Sequence, residues 1–328
     1  MRHGKADDET ECLFKVGTLP VPFKSPSKMA SAEEQQAQKL MAEADKKSAS
    51  ATKTTGFISG VFGGSSSGKI DDAIELYCKA ANIFKMAKNW SDSGTCSLKA
   101  AHLYQRINNK LEAFSKFTDA SNAFKKNDPQ KAIECLKQAV AIQTEMGRFS
   151  MAAKTLVSMA EICEAEPLRD IPQAVGYYEK ATDYYQGEES KSQAQPCMLK
   201  VAQYAAEREE YGKAIEIFEQ VAERCAANPM LKSGAKEYFF KASLCQLSVD
   251  PLNAGQALAR YIGTCPAFQD TREYKLMKAL LGALDGDPDG DAFDAALKAY
   301  DEVGRMDGWA AGMLQRVKRR MGGDSDLT

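Results

Sequence analysis

The sequence is poor in the side chains on which most catalytic and metal sites depend. It has only two histidines, His3 and His102, in 328 residues. Its nine cysteines are odd in number and widely spaced, and none forms a C-x-x-C pair. Zinc sites and disulfide frameworks use closely spaced or paired cysteines. We therefore expect no metal, no cofactor and no enzymatic activity, and we interpret the cysteines as small core residues in a reducing compartment.

Long apolar runs and a strong net charge are also missing. No stretch approaches the ~18 apolar residues of a membrane-spanning helix. The formal net charge is -2, which favours neither nucleic acid nor an acidic membrane as a partner. Acidic residues stand where a signal peptide has its basic and apolar regions. The composition thus predicts a cytoplasmic protein that binds no nucleic acid and whose electrostatic binding comes from local patches.

Changes of composition along the chain predict four parts. Residues 1–28 contain three prolines and no periodicity, so we expect a disordered extension. A helical-repeat region follows over 29–269, with a first helix at 31–48 and a Ser-, Thr- and Gly-rich loop from Lys47 to Lys69. Residues 270–321 are predicted to form a C-terminal helical bundle, and 322–328 a flexible acidic tail. Strand signals are nearly absent.

A short apolar pattern recurs within the repeat region. The helix at Ala73 has Tyr77, Ala80 and Phe84 on one face, since spacings of four, three and four residues follow one stripe of an α-helix. An alanine beside an aromatic ring lets two helices approach closely. The pattern returns in helices at Ala113, Ala132, Ala174 and Ala214. The predicted unit is a helical hairpin of about 40 residues, longer than the ~34 residues of a tetratricopeptide repeat.

Helix boundaries agree with this pattern. Asp128 and Pro129 are predicted to be the N-cap and first residue of a helix, and Gly147 and Gly187 to be C′ residues. A single hairpin cannot bury both of its faces, so neighbouring hairpins must stack. The sequence therefore predicts an all-α fold, a right-handed solenoid of tetratricopeptide-like hairpins closed by a helical bundle. Its long exposed surface is typical of a scaffold that binds other proteins.

The glycine-rich loop at about 53–69 carries two possible signals. Gly63 to Lys69 matches G-x-x-x-x-G-K, but Ile70 replaces the magnesium-binding Ser or Thr and no strand precedes the loop, which favours a linker over a nucleotide site. The loop also contains bulky apolar residues: Phe57, Ile58, Val61 and Phe62. They either insert into the boundary of a bilayer or fold back over the first hairpin, and the residues alone leave both open.

Charged residues suggest two further surfaces. Cations recur near the predicted hairpin ends and along first helices: Lys85, Lys88, Lys99, Lys125, Lys126, Arg148 and Lys154. They form either a stripe for a long acidic partner or a solvated face of mixed charge. Asp285, Asp287, Asp289 and Asp291 lie in an acidic loop that lacks the glutamate of a calcium loop. Leu327, beside the terminus, is either a frayed end or a hook for a basic surface.

Several runs in order resemble one known family, the alpha-type soluble NSF-attachment proteins, over about residues 30–328. The matching runs include Gly60–Gly64, Ala80–Trp90, Asn122–Lys126, Asp128–Gln130, Glu145–Phe149, Tyr184–Ser190 and Lys275–Lys278. The resemblance implies adaptors that coat assembled SNARE four-helix bundles and recruit the hexameric AAA ATPase N-ethylmaleimide-sensitive factor. The ATPase takes the bundle apart, and the adaptor itself hydrolyses nothing. The alternative is a generic tetratricopeptide-like adaptor that binds short free peptides.

The resemblance also implies roles for particular residues. The loop residues Phe57, Ile58, Val61 and Phe62 would contact membrane lipids, making the protein peripheral on membranes. The residues facing acidic SNARE side chains would be Lys88, Lys125, Lys126, Arg148, Lys154 and Lys200. Those meeting the ATPase would be Asp250, Asp285, Asp287, Asp289, Asp291 and, at the terminus, Leu327. Pro196 departs from the pattern, because the family often has a lysine there.

Overall fold

The computed structural model describes residues 32–53 and 65–323, and within these ranges the chain is all-α. The described part has fourteen α-helices, one 3-10 turn and no strand. The helices are α1 (Ala32–Lys53), α2 (Ser65–Met86), α3 (Trp90–Arg106), α4 (Lys110–Phe124), α5 (Pro129–Glu145), α6 (Phe149–Glu164), α7 (Ile171–Gly187), α8 (Lys191–Glu207), α9 (Tyr211–Ala227), α10 (Lys232–Val249), α11 (Pro251–Thr264), α12 (Arg272–Ala283), α13 (Gly290–Val303) and α14 (Gly308–Gly323). The 3-10 turn is Pro266–Phe268. No helix in the described ranges is long and apolar enough to cross a membrane.

The alanine and aromatic stripes form the core of a helical solenoid, which confirms the predicted fold class. Ala73, Ala113, Ala132, Ala174 and Ala214 are all fully buried. The rings of the same pattern are buried with them at positions 77, 84, 117, 124, 178, 185 and 218. From α1 to α11, short turns join consecutive helices, which pack as antiparallel neighbours. In this part of the chain the even-numbered helices therefore form one layer and the odd-numbered helices the other.

Five interhelical turns share one backbone design. In each, a residue with positive φ follows the helix, its N–H bonds back three residues, and the next N–H bonds back five residues. This is the Schellman motif, which satisfies the last carbonyls of a helix. The left-handed residues are Lys88, Asn108, Gly147, Glu189 and Glu209. Because the same turn recurs, the helix after each of these turns begins in a similar direction relative to the helix before it.

Two predicted boundaries can now be compared with these turns. Asp128 caps α5 by accepting from the Lys131 backbone N–H at 3.1 Å, with Pro129 as the first helical residue, as predicted. Gly147 has φ 70°, also as predicted. The prediction for Gly187 is wrong, because it is the last residue of α7 and Glu189 takes the left-handed position. The backbone bonds that close this turn are donated by residues 189 and 190, so the turn is completed two to three residues after the glycine.

The C-terminal helices close onto the last repeats. Trp309 of α14 donates from Nε1 to the Gln203 carbonyl at 3.3 Å, and its ring meets Phe218 edge-on at 5.7 Å. Arg316 donates to the Ala206 carbonyl at 3.0 Å, and Arg320 donates to the Ser248 carbonyl. One hydrophobic cluster extends without a break from residue 198 in α8 to residue 317 in α14. The α14 helix is thus anchored to both α8 and α10.

The glycine- and serine-rich segment is shorter than composition predicted. α1 continues to Lys53 and α2 begins at Ser65, so both helices extend into the expected loop. Ala37, Ala44 and Ala51 are fully buried, which shows that the apolar stripe of α1 continues past Lys47. α14 likewise continues to Gly323, into the expected tail. The expected N-terminal extension, the apolar residues Phe57, Ile58, Val61 and Phe62, and Leu327 lie outside the described residues.

Candidate partner-binding surfaces

A groove between α4 and α6, which we call the basic groove, is the first candidate surface. Lys125 from the end of α4 and Lys154 from α6 line it, and Leu136 and Gln143 of α5 form its floor. The Gln143 side chain is held by a hydrogen bond from the Thr155 hydroxyl at 2.9 Å. No acidic side chain is among the residues that line this groove. The groove therefore presents positive charge over a partly apolar surface.

A second depression continues the basic groove towards α2. Both are lined by Asn122, so they adjoin on α4. Lys85 of α2 and Trp90 of α3 line the second depression, together with Lys116 and Asp119 of α4. Lys116 is paired with Asp119 at 3.0 Å, whereas the Lys85 side chain forms no ion pair with any described residue. The two depressions together thus present three lysines, Lys85, Lys125 and Lys154, that are unpaired among the described residues, and their one acidic lining residue, Asp119, is paired.

Five of the six predicted SNARE-facing cations are exposed and unpaired. Lys88, Lys125, Lys126, Arg148 and Lys154 make no side-chain hydrogen bond or ion pair with the residues that the structure describes. Only Lys125 and Lys154 share the basic groove. Lys88 and Lys126 lie in turns at one edge of the solenoid, and Arg148 lies in a turn at the opposite edge. The structure thus places the five on one half of the solenoid, and brings two of them into a common groove.

Lys200 differs from the other five cations. Its Nζ lies 3.2 Å from both carboxylate oxygens of Glu164 in α6. The Tyr204 hydroxyl donates to the same carboxylate at 2.7 Å. Burial and the nearby Glu164 carboxylate raise the pKa of Tyr178 in α7. Burial and the Glu164 carboxylate both raise the pKa of Tyr204, so its hydroxyl stays a donor. We call these four residues the Glu164 cluster.

A groove between α11 and α12, the acidic groove, is the second candidate surface. Asp250, Leu252 and Asp285 line it, with Lys278 among them. Asp250 also caps α11 by accepting from the Asn253 N–H at 3.1 Å. Leu252 is 68% exposed, so the same groove also offers an apolar contact. Two of the predicted ATPase-facing residues therefore share one groove.

The other acidic candidates lie in the exposed turn before α13 and in the first turn of that helix. Asp289 caps α13, and its Oδ1 accepts from the backbone N–H groups of Asp291 and Ala292, both at 2.9 Å. The carboxylates of Asp287 and Asp291 make no hydrogen bond within the described residues. Asp289 thus has a structural role, and the neighbouring carboxylates are available to a partner.

Comparison with known proteins decides the family. The model of the family described as "Soluble NSF attachment protein, SNAP" matches residues 35–322. This chain belongs to the soluble NSF attachment protein family. Alpha-soluble NSF attachment protein from mouse is 49% identical over 296 residues, covering 90% of this chain and 98% of the relative. The human protein of that name matches equally, with 49% identity, 90% of this chain and 98% of the relative.

More distant proteins extend the comparison. The vesicular-fusion protein SEC17 of Komagataella phaffii is 32% identical over 296 residues, covering 89% of this chain and 97% of the relative. A Pyrococcus horikoshii signal-transduction ATPase with a tetratricopeptide repeat sensor covers 89% of this chain and 44% of its own, at 13% identity and a TM-score of 0.41. That structural likeness is too weak to add to the assignment.

One departure within this SNAP-family chain can now be located. Pro196 lies inside α8, five residues after its first residue, and its ring is exposed. Proline has no N–H, so the Ser192 carbonyl lacks its partner four residues on in the helix. Pro196 also supplies no cation where the resemblance implies a lysine. On this face of α8, Lys200 is the cation that follows one turn later.

Some surface residues were not predicted from the sequence. Glu164 and Lys116 were missed because their ion pairs depend on which side chains meet after folding. Leu252 was missed because a single leucine after a helix cap has no distinctive pattern. Its place directly after the Asp250–Pro251 cap was the available signal, since an apolar residue in a first helical turn is often exposed to a partner or to solvent.

Proposed function

We propose that this SNAP-family chain is a non-enzymatic adaptor that binds assembled SNARE four-helix bundles and recruits the hexameric AAA ATPase N-ethylmaleimide-sensitive factor. The ATPase then disassembles the bundle, which serves vesicle fusion and intracellular transport. The relatives are named soluble NSF attachment proteins and vesicular-fusion proteins. The observation that carries the SNARE part is the basic groove, where Lys125 and Lys154 lack any carboxylate partner among the described residues.

A long acidic rod fits such a groove for electrostatic reasons. The groove follows α4 and α6, so its cations meet charges spaced along a helix bundle rather than one compact ligand. Complementary charge of this kind mainly speeds association and fixes orientation. It is screened over about 8 Å at physiological salt, so binding through the groove weakens as salt rises.

The acidic groove is the proposed contact with the ATPase. Asp250 and Asp285 offer negative charge to a basic surface, and exposed Leu252 offers an apolar contact in the same groove. Asp287, Asp289 and Asp291 extend this charge along the next turn. Leu327 is proposed to stimulate ATP hydrolysis by the bound ATPase. The proposed binding surfaces for SNARE bundle and ATPase are thus separate parts of the solenoid.

Membrane contact completes the proposal. Phe57, Ile58, Val61 and Phe62 are proposed to insert into the bilayer boundary, keeping a cytoplasmic protein peripheral on membranes. Each buried apolar side chain of this size contributes roughly 1.5–3 kcal/mol. Contact with the bilayer raises the local concentration of the adaptor near membrane-anchored SNARE bundles without any new protein contact.

A reconstituted disassembly reaction tests the proposal. Purified SNARE bundle and ATPase are mixed with this chain, and bundle loss and capture are measured with soluble and liposome-anchored bundles. Lys125→Glu with Lys154→Glu is expected to lower capture about tenfold or more, with weaker dependence on salt. Lys137→Glu with Lys180→Glu, which makes the same charge change in α5 and α7, is the matched control. Unchanged capture by the first variant would place the SNARE surface elsewhere.

A further inference from the structure

The Glu164 cluster joins three consecutive helices through one carboxylate. Glu164 is in α6, Tyr178 in α7, and Lys200 and Tyr204 in α8. The carboxylate receives both lysine contacts at 3.2 Å and the Tyr204 hydroxyl at 2.7 Å. Its side chain is only 18% exposed, against 42% for Lys200. The lysine is thus the solvent-facing member, and the carboxylate is the inner one.

Two other clusters of the solenoid also combine a carboxylate with a tyrosine hydroxyl and a cation. Asp45 of α1 binds the Tyr77 hydroxyl and, at 2.6 Å, Lys99 of α3. Glu219 of α9 accepts from Tyr261 of α11 at 2.5 Å and from Arg260 at 3.1 Å. Each cluster connects a helix to the second one after it. In the Asp45 and Glu219 clusters the cation lies in an odd-numbered helix. Lys200 instead lies in α8, in the same layer as α4 and α6, which form the basic groove.

The Tyr204 hydroxyl allows Lys200 to leave the cluster at a low cost in free energy. An inner carboxylate that lost its only cation would be left buried and unpaired, which is strongly destabilising. Glu164 keeps the hydrogen bond from the Tyr204 hydroxyl when Lys200 turns away. The lysine side chain has enough reach and exposure to meet a carboxylate outside the solenoid.

We infer that the Glu164 carboxylate keeps Lys200 paired within the solenoid. An acidic side chain of a bound partner then engages Lys200 only by displacing the Lys200 amine from Glu164. This inference rests on the proposed SNARE function, because it concerns the strength of the same surface. Glu164 acts as an affinity-setting residue without touching the partner. Lys200 adds little to initial capture, which depends on the unpaired cations of the basic groove.

Charge variants of the cluster test the inference. Glu164→Gln keeps an oxygen that accepts from Tyr204 but releases Lys200, and it is expected to bind soluble SNARE bundle about 3–10-fold more tightly. Glu161→Gln removes the same charge one turn earlier in α6, where it makes no ion pair among the described residues, and is expected to change affinity less than twofold. Thermal unfolding of both variants controls for folding.

The lysine itself provides the decisive comparison. Lys200→Met in the otherwise unchanged chain is expected to alter affinity less than about twofold, whereas in the Glu164→Gln background it removes the whole gain. If Lys200→Met alone weakens binding as much as Lys154→Met does, Lys200 is a free cation and the inference is wrong. Equal affinities of the Glu164→Gln and Glu161→Gln variants overturn it as well.

A readout without any partner separates this inference from the proposed function. The rate at which an amine-acylating reagent modifies Lys200 is measured by mass spectrometry in the unaltered chain and in Glu164→Gln. Faster acylation in the variant shows that Glu164 holds the amine, even if the chain were to bind no SNARE bundle. Equal rates overturn the inference, while failure of the unaltered chain to bind SNARE bundle would refute the proposed function.

Discussion

At the scale of single residues, the left-handed turn positions control how regularly the hairpins follow one another. Only Gly147 among the five is a glycine, while Lys88, Asn108, Glu189 and Glu209 adopt positive φ with a side chain. A left-handed conformation costs an L-residue roughly 1–2 kcal/mol. The turns are therefore maintained by the two backbone hydrogen bonds of the Schellman motif and by helix packing, rather than by local preference.

Replacing one of these residues with glycine tests that balance. Glu189→Gly, at φ 56°, is expected to raise the free energy of unfolding by about 1 kcal/mol, because glycine adopts this conformation without strain. The adjacent Glu188→Gly, at φ -90°, is the matched control and is expected to destabilise by about 0.5–1 kcal/mol. Urea unfolding followed by circular dichroism measures both. A loss of stability in Glu189→Gly would show that its side chain contributes contacts that outweigh the strain.

At the scale of helices, carboxylate clusters connect elements that are not neighbours in sequence. Asp45 joins α1 to α2 and α3 through Tyr77 and Lys99. Burial alone would raise the pKa of Asp45, but the hydrogen bonds from Lys99 and Tyr77 outweigh it, so the pKa lies below its usual 3.8. The ionised carboxylate therefore stabilises the docking of α1.

The pH dependence of stability follows from that shift. Because the folded pKa is lower than the unfolded one, the contribution is complete above about pH 5 and is lost as pH falls through 3.8 and below. Asp45→Asn is expected to be about 1 kcal/mol less stable at pH 7, and the difference should shrink below pH 4. Asp71→Asn, which removes an exposed carboxylate of α2 outside this cluster, is the matched control. A difference that stays constant down to pH 3 would contradict the assignment.

The α8 helix tolerates a proline in its interior. At Pro196 the helix loses one backbone hydrogen bond, and the ring crowds the Ser192 carbonyl. Pro196→Ala is expected to raise the free energy of unfolding by about 1–3 kcal/mol, measured by urea denaturation. Pro129→Ala at the first residue of α5 is the control, and no gain is expected there because proline is favoured at that position. Equal changes in the two variants would count against a strained α8.

At the scale of the whole molecule, the core consists of three hydrophobic clusters along the solenoid. The first covers α1 to α3, and the last runs from α8 to α14. Repeat proteins are held mainly by contacts between neighbours, so distant clusters respond separately to denaturant. The N-terminal cluster is small and rich in alanine, whereas the C-terminal one includes the docked helices. The two ends should therefore differ in stability.

The two tryptophans report on the two ends. Trp90 opens α3 beside the N-terminal cluster, and Trp309 packs on Phe218 in the C-terminal one. The Trp309→Phe variant retains Trp90, and the Trp90→Phe variant retains Trp309. The unfolding midpoint followed by Trp90 fluorescence is expected at about 0.5–1 M lower urea than the midpoint followed by Trp309 fluorescence. Circular dichroism of each variant corrects for the substitution itself. Coincident midpoints would indicate that the solenoid unfolds as one cooperative unit.

Most of the architecture was predictable from the sequence because it depends on periodic burial. The stripe of Tyr77, Ala80 and Phe84 predicted its own buried face, and the Asp128–Pro129 pair predicted a helix start. The surfaces were less predictable. Lys154 and Lys200 look alike in the sequence, yet one is unpaired among the described residues and the other is held by Glu164 from a different helix. That difference depends on tertiary packing, which no local pattern encodes.

The attachment of α14 determines how the protein carries mechanical load. Arg316 and Arg320 bind carbonyls in the last turns of α8 and α10, where helix ends carry partial negative charge. A force applied to the chain beyond α14 is thus shared between α8 and α10. The hydrogen bonds of Arg316 and Arg320 must then break together, whereas a force on a single terminal hairpin would detach one hairpin at a time.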